Sequence, residues 1–169
     1  MTITETLDLT AFNALSPAAA ERTLLRCCSA IPWARRVTAG RPYHNVEVLC
    51  AAADAALSAL TEQDLDQAMA GHPRIGEQAA GESQREQAAM QGSSIRTATA
   101  LAEGNAEYEA RFGHVYLVCA DGRSGDELLS VLTRRLRNDP ATERAQVRAE
   151  LGKINRIRLQ RLIGAEIPA

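Results

Sequence analysis

The stretch of residues 71–87, GHPRIGEQAAGESQREQ, concentrates the side chains that could do chemistry. It holds an imidazole, a proline, three glycines and several carboxylates between two segments with helical patterns. Imidazole and carboxylate groups are the side chains that most often transfer protons in proteins. Pro73 keeps the backbone of His72 outside the helical region, directly after Gly71 ends a predicted helix. We therefore expect a functional loop here, although a lone histidine can also be structural or merely exposed.

Three polar residues near the end of this stretch have a helical spacing. Ser83, Glu86 and Gln87 stand at positions i, i+3 and i+4, so their side chains share one face if the segment is helical. Such a face could form the polar wall of a binding site. The alternative is a capping box, because Ser83-x-x-Glu86 is also the pattern whose side chains satisfy the first N–H groups of a helix.

A single arginine interrupts an apolar stripe in the last predicted helix. Val147, Leu151, Ile154 and Leu162 recur at helical spacing, and Arg158 falls at the same periodicity. A guanidinium on a core-facing stripe needs a polar partner. It could reach solvent along its aliphatic stem or pair with a buried carboxylate, and it could equally enter a ligand cavity.

Start and stop signals predict helices on both sides of residues 71–87. The predicted helices span residues 7–15, 17–28, 32–38, 46–60, 62–70, 95–112, 124–137 and 140–163. Residues 114–119 have strand-like composition but no second such run to pair with, so we predict a buried extended connection. In the helix over 95–112, the residues expected to face the core are Ile95, Thr99, Ala102, Ala106 and Tyr108.

Composition and charge favour one all-α domain of about seven to nine helices over residues 1–169. Hydrophobic residues make up 46% of the chain but aromatic residues only 4%, which suits close helix packing. The net charge of −2 gives no basic field for nucleic acid, so no nucleic-acid partner is expected. No apolar run could span a bilayer, and the N-terminus lacks the pattern of a leader peptide, so we expect no membrane association.

The four cysteines indicate neither a metal centre nor a disulfide framework. Cys27, Cys28, Cys50 and Cys119 have no metal-ligand spacing, and the three histidines add none. We therefore expect reduced, packed thiols, no metal ion and a cytoplasmic protein.

In their order and spacing these residues resemble a known family, the 2-oxo-4-hydroxy-4-carboxy-5-ureidoimidazoline (OHCU) decarboxylases of the uric acid pathway. The motifs that carry the resemblance are Gly71-His72-Pro73-Arg74-Ile75-Gly76, Ser83-x-x-Glu86-Gln87, Phe112-Gly113, Cys119-Ala120 and Lys153-Ile154-x-x-x-Arg158-Leu159, with Phe12-Asn13, Cys27-Cys28, Trp33 and Arg41-Pro42 upstream. His114 is a departure, since members commonly have an aromatic residue after Phe-Gly. The match spans nearly the whole chain.

The resemblance implies an all-helical carboxy-lyase that needs no cofactor and converts OHCU to (S)-allantoin and CO₂. It assigns His72 and Glu86 as the catalytic pair, with Pro73, Ser83, Gln87 and Arg158 lining the substrate. It also makes a homodimer plausible and implies a functional link to uricase and hydroxyisourate hydrolase upstream. A non-catalytic helical interaction module, or another cofactor-free isomerase or hydrolase of ureide rings, remains the alternative.

Overall fold

A computed structural model describes residues 7–77, 88 and 92–164 of the chain. Within these residues the fold is all-α, with eight helices, no strands and 69% helical content, as predicted. In chain order the helices are α1 (Leu9–Ala14), α2 (Pro17–Leu25), α3 (Ile31–Ala39), α4 (Val46–Ser58), α5 (Glu62–Ala70), α6 (Ile95–Phe112), α7 (Gly125–Arg135) and α8 (Pro140–Leu162). None of these helices is long and apolar enough to cross a membrane.

The predicted caps begin the helices where the sequence placed them. The side chains of Ser16 and Asn45 accept hydrogen bonds from the backbone N–H of the third residue of α2 and α4. Thr61 with Asp64, and Ser124 with Glu127, form reciprocal capping boxes. Each of these bonds satisfies an N–H group that has no partner inside its own helix, so local sequence alone sets these starts.

The described residues form two compact units, the first within residues 7–71 and 152–164 and the second within residues 72–151. In the first unit, α1 to α5 and the end of α8 surround buried side chains such as Phe12, Leu24, Trp33 and Leu49. The indole of Trp33 donates to the backbone oxygen of Ala53 at 3.0 Å, so this large side chain is buried without an unsatisfied donor. The assignment of residues 1–169 to one domain stays a prediction.

The second unit contains α6, α7 and the first part of α8. Its core cluster includes Leu101, Tyr108, Tyr116, Leu128 and Leu132. The segment 115–120 is extended and makes no strand pairing within the described residues, and its residues 116–120 are buried. This confirms the predicted connection.

A buried ion pair supports that extended segment within the second unit. Arg135 is 1% exposed and Glu143 is not exposed, and their side chains lie 2.5 Å apart. Arg135 also donates to the backbone oxygen of Leu117 at 2.6 Å, and Tyr108 donates to Glu143. Burial lowers the pKa of Arg135, but the hydrogen bond and attraction of Glu143 outweigh it and leave that pKa raised. Arg135 therefore remains charged inside the core, with the carboxylate of Glu143 as its ion-pair partner.

The predicted face of α6 was wrong. Ile95 is 87% exposed, and Thr99, Ala102 and Ala106 are exposed as well, whereas Tyr108 is buried as expected. The buried positions are Thr97, Leu101, Asn105 and Tyr108. The helix is rich in alanine and polar residues, so Leu101 and Tyr108 decide its inward face. Thr97 and Asn105 are accommodated there by hydrogen bonds to Asp126 and to the backbone of Ile75.

Two helix ends also differ from the predictions. Helix α2 ends at Leu25 rather than near residue 28, and α7 ends at Arg135 rather than at 137. After α2, the N–H groups of Cys27 and Cys28 both donate to the oxygen of Leu24, at 2.8 and 3.1 Å. This tight turn replaces the last helical turn that the apolar pattern had suggested.

Candidate functional site

His72 lies directly after the end of α5, where the backbone leaves the helix at Gly71. His72 and Pro73 are both half-buried. Gly71 is needed for close packing, because a Cβ there would lie 2.8 Å from Oγ of Ser29. That hydroxyl lies within hydrogen-bond distance of the backbone oxygens of Gln67 and Ala68 near the helix end, at 3.1 and 3.3 Å. The glycine thus allows Ser29 to hold the helix end that precedes His72.

Replacing Gly71 by alanine is expected to destabilise the protein by about 1–3 kcal/mol, because the new methyl group displaces a hydroxyl that is bonded to two carbonyls. The free energy of unfolding in urea measures the effect. Ser29→Ala removes the clashing oxygen. In that background, Gly71→Ala should therefore destabilise the protein less than it does in the wild type. Strictly additive changes would contradict this explanation.

The loop that carries His72 is bound to α6 within the second unit. The guanidinium of Arg74 donates to both carboxylate oxygens of Glu109, at 2.5 and 3.0 Å, and to Glu77 at 3.1 Å. Ile75 is buried, and its backbone oxygen accepts from the amide of Asn105 at 2.9 Å. The hydrogen bond from Arg74 holds the pKa of Glu109 below its usual value. The contribution of the Arg74–Glu109 ion pair to stability is therefore lost only as the pH falls through the lowered pKa of Glu109.

Arg158 is 8% exposed, and the apolar stripe of α8 that flanks it is buried, as predicted. Its Nη1 donates to the backbone oxygen of Cys27 at 3.1 Å. The charged end of the Arg158 side chain is therefore buried, unlike in the alternative in which it reaches solvent. A buried guanidinium is held here by a polar backbone group just after α2, within the first unit.

The interior around Arg158 contains two further polar groups that the sequence did not assign to the site. Cys28 is buried, and so is Asn155, which stands three residues before Arg158 in α8. Burial raises the pKa of the Cys28 thiol, while Ala30, Asn155 and Arg158 lower it less strongly. The signal that could have indicated Asn155 is a polar residue beside Ile154 and one turn before Arg158 on a buried helix face.

His114 takes the place of an aromatic side chain in the second unit. Its ring stacks on Phe112 at a centroid distance of 6.2 Å and meets the edge of Tyr108 at 5.5 Å. Imidazole can make both contacts, so this departure from the family pattern preserves the aromatic packing.

The predicted side chains of Ser83, Glu86 and Gln87 lie outside the described residues. Their assignments, like those of His72, Pro73 and Arg158, stay predictions. In residues 7–77, 88 and 92–164, no three potential metal-ligating side chains lie together. The four cysteines form no disulfide and are all buried, in line with the packed thiols expected from their spacing.

A family profile described as OHCU decarboxylase matches residues 13–160. The chain belongs to the OHCU decarboxylase family. It is 28% identical over 145 residues to the uric acid degradation bifunctional protein TTL of Arabidopsis thaliana, covering 80% of this chain and 45% of that protein. It is 42% identical over 59 residues to a 2-oxo-4-hydroxy-4-carboxy-5-ureidoimidazoline decarboxylase of Amia calva, covering 35% of this chain and 34% of that one. The chain thus spans less than half the length of these curated relatives.

Solved structures of the family share the fold. The chain resembles a crystal structure of OHCU decarboxylase in the presence of (S)-allantoin, with a TM-score of 0.74 and 26% identity over 83% of this chain and 96% of that one. A crystal structure of (S)-allantoin synthase gives a TM-score of 0.73 at 15% identity, over 93% of this chain and 54% of that one. The second likeness concerns the fold alone. The all-helical architecture expected of an OHCU decarboxylase is therefore present.

Proposed function

We propose that this protein decarboxylates OHCU to (S)-allantoin and CO₂ in uric acid degradation, without a cofactor. The observation that carries the proposal is the family match over residues 13–160, which includes the whole Gly71–Gln87 stretch and Arg158. The burial of Arg158 in the apolar stripe of α8 also supports it, because an apolar side chain could fill that position of a purely structural helix without the cost of burying a charge.

The reaction needs little from the protein beyond orientation and proton transfer. The bond between the ring carbon and its carboxylate breaks, CO₂ leaves, and the electron pair forms a double bond to the neighbouring, ureido-bearing carbon, while the electrons of the C=N bond move to the ring nitrogen, which takes up a proton. The hydroxyl on the decarboxylated carbon then loses its proton and becomes a ring carbonyl, and a proton adds to one face of the ureido-bearing carbon, which sets the hand of the product. Since the substrate supplies its own electron sink, pyridoxal phosphate or a metal is not required for this step.

His72 and Glu86 are proposed to transfer the protons around the hydroxyl and carboxyl-bearing carbon. An imidazole and a carboxylate can share a hydrogen bond and exchange donor and acceptor roles as the substrate rearranges. Pro73 would shape the wall beside His72. Ser83 and Gln87 would offer neutral donors and acceptors to the urea groups.

Arg158 is proposed to bind carbonyl oxygens of the ring or ureido group. An ion pair to the departing carboxylate would be lost as CO₂ forms, and it would stabilise the ground state more than the transition state. Carbonyl oxygens persist through the reaction, and negative charge can develop on them. A donor placed there therefore lowers the barrier as well as the KM.

Arg158→Ala is expected to lower kcat/KM for OHCU by about 10–100-fold, since a hydrogen bond from a charged donor is lost. Steady-state kinetics measure it. Arg156→Ala is the matched control, because Arg156 lies on the same helix but pairs with Glu47 and Asp54 and is 34% exposed. Equal kinetics for both variants and the wild type would rule out the proposed role of Arg158.

The proposal extends to partners. OHCU would be supplied by uricase and hydroxyisourate hydrolase, and the protein would act as a homodimer in the cytoplasm. Four buried cysteines that form no disulfide are consistent with a reducing compartment.

The test generates OHCU in place with urate, uricase and hydroxyisourate hydrolase, and follows the circular dichroism of (S)-allantoin. The expected result is formation of one enantiomer faster than the spontaneous, racemic decay, with one CO₂ released per product. A ureide isomerase or hydrolase would instead retain the carboxyl carbon. A non-catalytic module would leave the spontaneous rate and the racemic product unchanged.

A further inference from the structure

Asn155 places an unsatisfied carboxamide in the interior of the first unit. The residue is 2% exposed, and neither its Oδ1 nor its Nδ2 has a hydrogen-bond partner. Native proteins rarely leave both ends of a buried amide empty, because each end loses its bonds to water. The group therefore requires an explanation that the fold itself does not supply.

Other buried polar atoms without partners are less exceptional. Thr38 has an unpartnered hydroxyl, and Asn105 has an unpartnered oxygen, but the amide nitrogen of Asn105 already donates to Ile75. Among the described residues that have unpartnered buried polar atoms, Asn155 is the side chain with two such atoms, a donor nitrogen and an acceptor oxygen. A ligand that satisfies it must itself present an acceptor beside a donor.

The position of Asn155 associates it with Arg158. The two residues stand at i and i+3 on α8, so their side chains emerge on one face, with Cβ atoms about 5–6 Å apart. Both side chains also interact with the Cys28 thiol and favour its ionised form, but the contact between the thiol and the carboxamide is too weak to count as a full hydrogen bond. Carboxamide and guanidinium thus form one polar patch on an otherwise apolar helix face.

We propose that Asn155 is a substrate-binding residue whose carboxamide pairs with the ureido group of the substrate. This inference rests on the proposed function and deepens it. A ureido group carries a carbonyl acceptor beside N–H donors, and a carboxamide can meet both with two parallel hydrogen bonds. Arg158 has donors only, so it can bind carbonyl oxygens but cannot accept from the ureido nitrogen. Asn155 supplies an acceptor on the same helix face as Arg158.

Asn155→Leu tests this pairing, because leucine has a similar size and no polar atoms. The variant is expected to melt at or above the wild-type temperature, since an empty buried polar group is removed. Its KM for OHCU should nevertheless rise about tenfold, with kcat changed less than about threefold. The rise in melting temperature that (S)-allantoin gives the wild type should be lost. Asn155→Ala should show the same raised KM as Asn155→Leu. Because alanine is smaller than asparagine, this result would show that the loss of the amide, and not obstruction by leucine, raises the KM.

Thr38→Val is the matched control, because it removes an unpartnered buried hydroxyl from the same unit. It should keep the wild-type KM and the wild-type response to (S)-allantoin. If both Asn155 variants keep the wild-type KM and the wild-type response to (S)-allantoin, as Thr38→Val should, the inference is overturned. The proposed function would still stand in that case, provided that the wild type is active. Unfolding of both Asn155 variants would also overturn it, because the carboxamide would then have a structural partner. An inactive wild type would refute the proposed function itself, and this inference with it.

Discussion

Replacing His72 by alanine is expected to lower kcat for OHCU decarboxylation by about 10²–10⁴-fold, the usual contribution of a general acid or base. Glu86→Gln should lose activity on the same scale, because glutamine keeps the shape of the side chain but cannot exchange a proton. The kinetics are measured with OHCU generated in place. Since His72 is half-buried in a loop rather than part of the core, its variant should keep the wild-type circular dichroism and melting temperature.

His44→Ala is the matched control for His72→Ala, because it removes an exposed imidazole and should leave kcat unchanged. A double variant His72→Ala/Glu86→Gln should be little worse than the poorer single variant, since groups that transfer the same proton act as a unit. Turnover within threefold of the wild type in either single variant would refute the assignment of that residue. Multiplicative losses in the double variant would show that the two groups act independently.

Arg135→Met should destabilise the protein by about 3–5 kcal/mol, the second large effect that we expect. The substitution leaves the buried carboxyl group of Glu143 without its guanidinium partner, and it removes the donor to the backbone oxygen of Leu117. Glu143→Leu should be comparably harmful, because it leaves Arg135 charged in the core. Unfolding in urea, monitored by circular dichroism, measures both changes.

The double variant Arg135→Met/Glu143→Leu is expected to be more stable than either single variant, because no unpaired charge remains buried. Arg74→Met is the matched control for an ion pair at the surface, since the side chain of Arg74 is 46% exposed and that of Glu109 28%. It should change stability far less than Arg135→Met. A loss as large in Arg74→Met would contradict the view that burial makes the Arg135–Glu143 pair important.

The features that the sequence predicted well depend on neighbours along the chain. The starts of α2, α4, α5 and α7 follow from a side chain and an N–H group three residues apart, and that geometry is the same in any fold. The inward position of Arg158 follows from helical periodicity among strongly apolar residues. The ordered motifs were specific enough to indicate the family, because their order along the chain is itself sequence information.

The tertiary structure decided what depends on partners distant in sequence. The face of α6 could not be inferred from a helix of alanine and polar residues, because burial of Thr97 and Asn105 requires Asp126 and the backbone of Ile75. The pairing of Arg135 with Glu143 and Leu117 likewise needs three elements brought together. The empty carboxamide of Asn155 is visible only when every nearby donor and acceptor is placed. Sequence thus determined the helices, their caps and the family, whereas tertiary packing determined which polar groups are buried and what satisfies them.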